Sequence, residues 1–381
     1  MPLRILVATR IYAPETGAAA FRLAAMVKAL QGRGHHVTVL TTSSPGAKRS
    51  SPSVRRWPVL RDKSGAVRGY VQYASFDIPL FLRLLTAPAF DLVVVEPPPT
   101  TGVVVRVATA LRRRPFVYFA ADVSSVAAEG IGVSPAVVRV LRAIERWTLS
   151  RARRILTVSE GVSTAVAALV GQSDRIVNVG TGVDTDQFTN DGPAGPDDGG
   201  RYFVYAGTMS EIQGAGVFVD AFISIAAEYP DVRLVMYGQG VELDELRARA
   251  EAVSAPIDFR GTVDGDQIST ALRGSVAGLA SVRPSRGYDF AFATKALVSL
   301  SCGTPVIYAG VGPLKNIIAD ENLGVSVDWE PAAVAAAMRD ALAWPQDAAE
   351  RQRISGWVQQ NYSLRSVGAR AAEAIEAAAS E

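Results

Sequence analysis

The chain has 381 residues, of which 49% are apolar and 20% are charged, so it is long enough for two globular domains and is not a disordered chain. Its single cysteine, Cys302, excludes an internal disulfide and favours a reducing, cytoplasmic environment. No apolar run approaches the ~20 residues of a membrane-spanning helix, and the run at 3–9 is too short for a signal peptide. We see no nucleic-acid-binding motif, and His35 and His36 show no zinc-ligand spacing.

The net charge of +2 is distributed unevenly along the chain. Residues 1–180 carry 24 Lys and Arg against 10 Asp and Glu, whereas residues 181–381 carry 15 against 27. The basic half also contains an apolar segment, 76–90, and this combination favours contact with an anionic membrane surface. An ordinary arginine-rich, solvated surface is the alternative. The charge pattern therefore predicts a cytoplasmic protein that is peripheral on the inner face of the plasma membrane.

Alternating apolar strands and amphipathic helices predict an α/β fold for the first half of the chain. A strand at 3–9, a helix at 19–32 and a strand at 37–40 form a βαβ unit with a glycine-containing first turn, which is typical of a doubly wound parallel sheet. Further strands are predicted at 69–72, 91–95, 116–120 and 155–158. The segment 189–200 is rich in Gly, Pro and Asp and is the predicted linker.

The same alternation of strands and helices restarts after the linker. Strands are predicted at 202–206, 233–237, 257–259, 276–280 and 305–308, and helices at 215–228, 241–252, 266–272 and 364–379. The sequence therefore predicts two Rossmann-like domains, 1–188 and 201–363, that face a central cleft. The last helix, 364–381, is expected to pack back on the first domain.

A lysine, Lys295, lies in the first turn of a helix predicted at 295–302, with Thr294 as its N-cap. Gly303 suits a left-handed helix end, and Pro305 prevents the helix from continuing. A cation at this place is unfavourable beside the positive end of the helix dipole, whereas the free N–H groups of the first turn favour an anion. A phosphate bound between the lysine and these N–H groups would explain both features. A solvated lysine is the alternative, but only five residues of the chain are Lys against 34 Arg.

Several short motifs follow one another along the chain. They are Tyr-Ala-Pro-Glu-Thr-Gly-Ala at 12–18, Arg-Gly-His-His-Val-Thr-Val-Leu at 33–40, Glu-Pro-Pro-Pro-Thr-Thr-Gly at 96–102, Ala-Ala-Asp at 120–122, Gly-Val-Asp-Thr-Asp-Gln-Phe at 182–188, Tyr-Gly-Gln-Gly at 237–240, Thr-Lys at 294–295 and Gly-Thr-Pro-Val-Ile at 303–307. Because these motifs occur in this order, the chain resembles the retaining glycosyltransferases of the GT-B fold, family 4, over nearly its whole length. The resemblance is to a subgroup that acts on amino sugars and exopolysaccharides and carries a Pro-Ser-Lys motif.

The resemblance implies a hexosyltransferase that moves a sugar from a nucleotide-diphosphate sugar to a glycan or a lipid-linked acceptor of the cell envelope. The nucleotide sugar is a co-substrate, and neither a metal nor another cofactor is expected. Lys295 would neutralise the donor diphosphate. Asp122 and Glu15 are the candidates to orient or deprotonate the acceptor hydroxyl, and an Asx turn is the structural alternative for Asp122. The other implied donor-binding residues are Gly17, Gly207, Gln213, Gly238, Arg260, Thr262, Arg283, Arg286 and Thr294.

Four positions depart from the pattern of the larger family. Val298 and Phe290 stand where that family has acidic residues, and Thr208 and Gln213 stand where it commonly has Arg and Lys. A Gln at the last position and the loss of the Glu are familiar in the Pro-Ser-Lys subgroup. The departures keep open a non-catalytic GT-B subunit that binds a sugar nucleotide or a partner, and a sugar-nucleotide epimerase is the third alternative.

Overall fold

The structure is a computed structural model that describes residues 1–15, 17–43, 51–62, 67, 69–130, 133–171, 174–195, 200–284, 291–345 and 347–381. Its contacts divide the chain into two compact units. Unit 1 is Met1–Thr181 together with Leu364–Glu381, and unit 2 is Gly182–Ser363. Each unit is a parallel sheet with helices on both faces, so the predicted pair of Rossmann-like α/β domains is confirmed.

The described residues form thirteen strands in two parallel sheets. The strands of unit 1 are β1 (Arg4–Ala8), β2 (His36–Thr42), β3 (Val54–Trp57), β4 (Leu92–Val95), β5 (Phe116–Ala120), β6 (Arg154–Thr157) and β7 (Ile176–Asn178). The strands of unit 2 are β8 (Arg201–Ala206), β9 (Val232–Tyr237), β10 (Ile257–Gly261), β11 (Ala277–Val282), β12 (Val306–Gly310) and β13 (Gly324–Val327). The spatial orders are β3-β2-β1-β4-β5-β6-β7 and β10-β9-β8-β11-β12-β13. Each order reverses beside the first strand of its unit, and an open α/β sheet binds ligands at such a point.

Fourteen helices occur in the described part of the chain. They are α1 (Ala18–Gly32), α2 (Tyr70–Thr86), α3 (Pro99–Leu111), α4 (Ser124–Gly130), α5 (Pro135–Leu149), α6 (Glu160–Val170), α7 (Gly216–Ile225), α8 (Leu243–Ala252), α9 (Gly265–Gly274), α10 (Thr294–Ser301), α11 (Leu314–Asp320), α12 (Pro331–Ala341), α13 (Ala348–Tyr362) and α14 (Leu364–Ser380). No described helix has the length and apolar character needed to cross a membrane.

The unit 1 sheet is buried on both faces, as its nearly continuous apolar strands require. Leu23 of α1 and Ile375 of α14 pack on one face. Helices α2, α3, α5 and α6 cover the other face, where Phe76 and Leu80 are fully buried. Full burial of such a side chain contributes about 1.5–3 kcal/mol, so these two layers of helices supply much of the stability of the unit. Helices α1 and α14 approach closely because α14 has Gly368 at the contact, where a Cβ would lie 2.6 Å from the carbonyl oxygen of Ala25.

The prediction of a strand at 69–72 is wrong, because α2 begins at Tyr70. The segment has aromatic and β-branched residues that favour a strand, but Phe76, Leu80 and Leu84 recur at helical spacing and are buried. Burial of this face outweighs the local preference. The sheet gains its edge strand from β3, which the sequence pattern does not predict, as is also the case for β7 and β13.

The boundary between the two units falls before the predicted linker. Phe188 packs in the core of unit 2. Ser269 Oγ donates a hydrogen bond to the carbonyl oxygen of Gln187 over 3.0 Å, and Arg273 Nη1 donates to that of Thr189 over 3.0 Å. The described part of the 189–200 segment therefore belongs to unit 2.

Candidate functional site

A cavity of about 580 Å³ opens in unit 2 at the carboxyl ends of β8 and β9, beside the point where the strand order reverses. The loops after these strands, the turn after β10 and the start of α10 form its walls. Six of the predicted donor-binding residues line the cavity: Gly207, Gln213, Gly238, Thr262, Thr294 and Lys295. Tyr237, Ser210 and Ile212 also line it and were not predicted as site residues. The structure thus brings together predicted residues that are far apart in the chain, and the most distant two, Gly207 and Lys295, are separated by 88 positions.

Helix α10 carries Lys295 into the cavity wall. The helix begins at Thr294 and its N-cap is Ala293, so the prediction that Thr294 is the N-cap is wrong. The reason is that the chain has already turned, since the N–H of Thr294 donates to the carbonyl oxygen of Phe292 over 2.9 Å. At the other end Gly303 has a φ of 73°, which confirms the predicted left-handed residue.

The ammonium group of Lys295 has a neutral partner. Its Nζ donates a hydrogen bond to Tyr205 Oη over 2.7 Å and lies 4.5 Å from the centroid of the Tyr205 ring. Burial lowers the pKa of Lys295 to about 7, and no carboxylate of the described residues counteracts this effect. A half-buried cation without a counter-ion is costly, so the site favours an incoming anion.

Two glycines let the backbone approach Lys295 closely. A Cβ at Gly207 would lie 2.8 Å from Cε of Lys295, and Gly207 has a φ of 157°. A Cβ at Gly238 would lie 2.0 Å from the carbonyl oxygen of Gly207, where the φ of Gly238 is 124°. A side chain at Gly207 would displace the end of Lys295, and a side chain at Gly238 would push the loop after β9 away from the loop after β8.

The wall of the cavity has an apolar patch and an unpaired acceptor. Val298, where the resemblance implies a Glu in the larger family, lines the cavity, so the described wall has no carboxylate there. The Oε1 atom of Gln213 is buried and has no hydrogen-bond partner among the described residues. An amide oxygen in this state can accept a hydrogen bond from a ligand hydroxyl or N–H.

Two of the predicted donor-binding residues that the structure describes in unit 2, Arg260 and Arg283, lie outside the cavity wall. Arg260 donates to Asp258 over 3.2 Å, and the guanidinium of Arg283 lies 4.9 Å from the ring centroid of Trp329. Neither residue lines the cavity. Arg286, like Phe290, lies outside the described residues.

The remaining candidates are in unit 1. Gly17 is the N-cap of α1, with a φ of 156° and open space where a Cβ would lie. Glu15 forms an ion pair with Arg61, with 2.7 Å between Oε1 and Nη2. Asp122 lies two residues after the end of β5, and desolvation by the surrounding protein raises the pKa of its carboxyl while the positive charges of Arg22 and Arg10 oppose that shift.

No Asx turn is formed by Asp122, which accepts no hydrogen bond from the described residues. The start of α4 is capped by another carboxylate, Glu145, which accepts from the N–H of Ser124 over 2.7 Å and from that of Ser125 over 3.1 Å. Asp122 is therefore a solvent-accessible carboxylate that the local backbone does not use.

A buried ion pair next to Asp122 was not predicted. Arg22 Nη2 donates to Glu96 Oε1 over 3.1 Å, and Thr9 Oγ1 donates to Glu96 Oε2 over 3.2 Å. Burial raises the pKa of Glu96, and Arg22 opposes the shift. These groups lie at the carboxyl ends of β1 and β4, where the strand order of unit 1 reverses. The sequence signal was the Glu of the motif at 96–102.

Two Asp-x-Asp triplets, at 184–186 and 264–266, use their first carboxylate locally. Asp184 Oδ1 accepts from the N–H of Asp186 over 3.1 Å, and Asp264 Oδ1 caps α9 by accepting from the N–H of Gln267 over 2.8 Å. Within the described ranges, no group of three or more His, Cys, Asp or Glu side chains is arranged to hold a metal ion. Cys302 is buried, which raises the pKa of its thiol to about 11.

Comparison with known proteins gives consistent results. A GDP-mannose-dependent alpha-(1-6)-phosphatidylinositol dimannoside mannosyltransferase of Mycobacterium tuberculosis (strain ATCC 25177 / H37Ra) is 34% identical over 148 residues. The match covers 38% of this chain and 36% of that relative, so it spans about a third of the relative's length.

Among solved structures, sucrose-phosphate synthase from Thermosynechococcus elongatus has a TM-score of 0.75 at 17% identity, covering 98% of both chains. Anabaena Alr3699/HepE in complex with UDP and glucose has a TM-score of 0.72 at 16% identity, covering 98% of this chain and 99% of that one. These likenesses show a shared fold.

Two family models match the chain in succession. The glycosyl transferase 4-like domain matches residues 17–182, and the group 1 glycosyl transferases match residues 200–343. Together the two matches include most of the chain and fall on the two sheet-containing units described above. The chain belongs to the group 1 glycosyltransferases of the GT-B fold.

Proposed function

We propose that this protein transfers a hexosyl group from a nucleotide-diphosphate sugar to a hydroxyl acceptor, with retention of configuration. The observation that carries the proposal is the environment of Lys295. This lysine lies in the wall of a cavity, and its hydrogen-bond partner is the neutral Tyr205. A diphosphate supplies the missing negative charge. Membership of the glycosyltransferase family supports this interpretation.

The cavity in unit 2 is the proposed donor site. Glycine turns after β8 and β9 leave room for a diphosphate beside Lys295, and Tyr237 and Thr262 line the wall next to them. Gln213 Oε1 is free to accept a hydrogen bond from a sugar hydroxyl. The names of the compared proteins mention GDP-mannose for one and UDP with glucose for another, which supports a nucleotide sugar as the donor.

Cleavage of the bond between the sugar and the diphosphate leaves one additional negative charge on the diphosphate, and fixed positive groups stabilise it without reorganisation. Lys295 provides one such group, and the N–H groups in the first turn of α10 add the positive end of the helix dipole. On this basis we propose a reaction that requires no metal.

The proposed acceptor site lies at the carboxyl edge of the unit 1 sheet. Asp122 is accessible there and accepts no hydrogen bond from the described residues, so its carboxylate can accept one from an acceptor hydroxyl and orient it. The acceptor is proposed to be a lipid-linked or cell-envelope glycan, because the named relative acts on a phosphatidylinositol dimannoside. We also propose that the protein lies in the cytoplasm and binds to the inner face of the plasma membrane. The excess of basic residues in the first half of the chain supports this location.

A second candidate function is sugar-nucleotide binding without catalysis. Val298, in the place of an acidic residue of the larger family, is the observation that favours it. Such a protein would bind the same donors through Lys295 but would release no nucleotide.

A panel of nucleotide sugars tests both functions. A ligand present at 100 times its dissociation constant stabilises the folded protein by about 2.7 kcal/mol, so the true donor should clearly raise the melting temperature. Release of nucleoside diphosphate from that donor, with formation of a glycosylated product, would establish transfer, and NMR spectroscopy of the product would give its anomeric configuration. Thermal stabilisation with no product from any acceptor tested would favour the binding function, and no stabilisation by any nucleotide sugar would contradict both.

A further inference from the structure

A second cavity, of about 600 Å³, lies in unit 1 beside α3, the amino-terminal end of β5 and the end of α5. It is termed here the α3–α5 cavity. Its walls include Arg106, Arg114, Arg151, Trp147 and Phe116. Phe116 begins β5, whereas Asp122 follows the other end of this strand. Five strand residues span about 17 Å, so the α3–α5 cavity lies at the opposite edge of the sheet from the proposed acceptor site.

The arginines of this cavity are not neutralised. The guanidinium of Arg106 lies 3.7 Å from the ring centroid of Trp147 and donates to Ser150 Oγ over 3.1 Å. Burial and then the positive charge of Arg151 lower the pKa of Arg106, so two cations share one environment. No ion pair of the described residues includes Arg106, Arg151 or Arg114. The charge of Arg114 has only a small effect on the pKa of the Asp91 carboxyl, because the ion-pair partner of Asp91 is Arg4.

Apolar side chains surround the same cavity. Leu111 is 64% exposed, Trp147 44% and Val107 37%. Val140 lies two turns before Trp147 on α5 and is also exposed. Large apolar side chains in water beside unpaired guanidinium groups form a surface of mixed character, and such a surface matches the boundary between lipid headgroups and acyl chains.

We propose that the α3–α5 cavity binds the phosphate of an anionic phospholipid headgroup and thereby anchors unit 1 on an anionic bilayer. Leu111, Val107 and Trp147 then enter the acyl boundary while the arginines hold the phosphate. A soluble phosphate compound would leave these apolar side chains in water. A nucleic-acid base would compete with Arg106 for the face of Trp147, which Arg106 already covers.

This inference deepens the peripheral location given under the proposed function and rests on it. The occupant is an anchor and not the acceptor, because the cavity and Asp122 lie at opposite ends of β5. Binding can therefore be measured on the whole chain without donor or acceptor, and sugar transfer to a soluble acceptor is measured separately. Loss of either property does not entail loss of the other.

The test is co-sedimentation of the full chain with vesicles of phosphatidylcholine, with or without phosphatidylglycerol. Each arginine near an anionic surface contributes about fivefold in affinity, so Arg106→Gln and Arg151→Gln should each weaken binding about fivefold and the double variant about 25-fold. Arg247→Gln is the matched control, since Arg247 lies near the Phe259 ring in unit 2 and carries the same charge. It should bind as the unchanged protein does, and added salt should weaken all binding to anionic vesicles.

Tryptophan emission gives a second readout that does not depend on the arginine variants. Anionic vesicles should shift the emission to shorter wavelength, and the shift should be lost in Trp147→Phe. Equal binding to both kinds of vesicle overturns the proposal, as does a double variant that binds like the Arg247→Gln control. A response of Trp147 to inorganic phosphate or glycerol 3-phosphate without vesicle binding would assign the cavity to a soluble phosphate compound and would also overturn it.

Discussion

Lys295 Nζ donates a hydrogen bond to Tyr205 Oη over 2.7 Å, while Tyr205 Oη donates its own proton to the carbonyl oxygen of Thr208, also over 2.7 Å. Tyr205 therefore holds the lysine in place without neutralising it. The pair combines a fixed direction with an uncompensated positive charge, and both are needed to receive a leaving group whose charge develops during the reaction.

Replacement of Lys295 by Met should lower kcat/KM at least 100-fold, which corresponds to about 2.7 kcal/mol of transition-state stabilisation. Folding should be spared, since an apolar chain of similar length replaces an uncompensated buried amine. Steady-state kinetics and thermal melting measure the two effects. The control is Lys315→Met, which removes an exposed lysine paired with Asp328 over 3.0 Å and should leave kcat/KM unchanged. Unchanged kinetics in Lys295→Met would end the assignment.

Affinity for a nucleoside diphosphate should decrease as the pH rises above about 7. The pKa of Lys295 is lowered to about 7 in the free protein, and a bound diphosphate favours the protonated form and raises that pKa again. Above pH 7 the lysine must therefore take up a proton on binding, and the affinity falls by up to tenfold per pH unit until the pKa of the complex is reached. Titration calorimetry in buffers of different ionisation enthalpy should show this proton uptake. The uptake should be absent in Lys295→Met, and an unprotonated complex at pH 8 would contradict the prediction.

Gly207→Ala should weaken donor binding and destabilise the fold by about 1–3 kcal/mol. The added Cβ would lie 2.8 Å from Lys295 Cε at a backbone conformation with a φ of 157°, so it would displace the lysine and strain the turn. Urea unfolding and nucleotide titration measure the two effects. Gly356→Ala is the control, because Gly356 lies within α13 with open space around it, and there alanine should stabilise by about 0.5–1 kcal/mol. Wild-type nucleotide affinity in Gly207→Ala would show that Lys295 is not held by this turn.

Asp122→Asn should lower kcat by about 10²–10⁴-fold and leave donor affinity unchanged. Desolvation by the surrounding protein raises the pKa of the Asp122 carboxyl above its ordinary value, and only the ionised form accepts the proton, so activity should decline on the acid side of that raised pKa. The pH–rate profile should lose this decline in Asp122→Asn. Glu15→Gln is the comparison, because Glu15 is paired with Arg61 and its removal should cost less activity. A larger loss in Glu15→Gln than in Asp122→Asn would transfer the role to Glu15.

The succession of strands and helices along the chain could be predicted where the signals are local in the sequence. The same is true of the part of the site around Lys295. A lysine in a first helical turn, followed by Gly303 and Pro305, is visible within eleven residues. The hydrogen bond from Lys295 to Tyr205 joins positions 90 residues apart, and such a contact depends on which strands become neighbours. The same holds for Arg22 and Glu96, 74 residues apart, whose pairing needs β1 and β4 side by side. Local propensity was also misleading at 69–72, where the buried face of α2 decides the structure.

The return of α14 to unit 1 affects the order in which the chain can fold during synthesis. Unit 2 is complete once Ser363 has left the ribosome, whereas unit 1 still lacks the helix that covers Leu23 and Met26 of α1. Domains ordinarily fold in the order in which they are synthesised. Here the unit that is begun first is completed last, and until Leu364–Ser380 emerges, the apolar side chains that α14 covers in unit 1 have no packing partner from that helix.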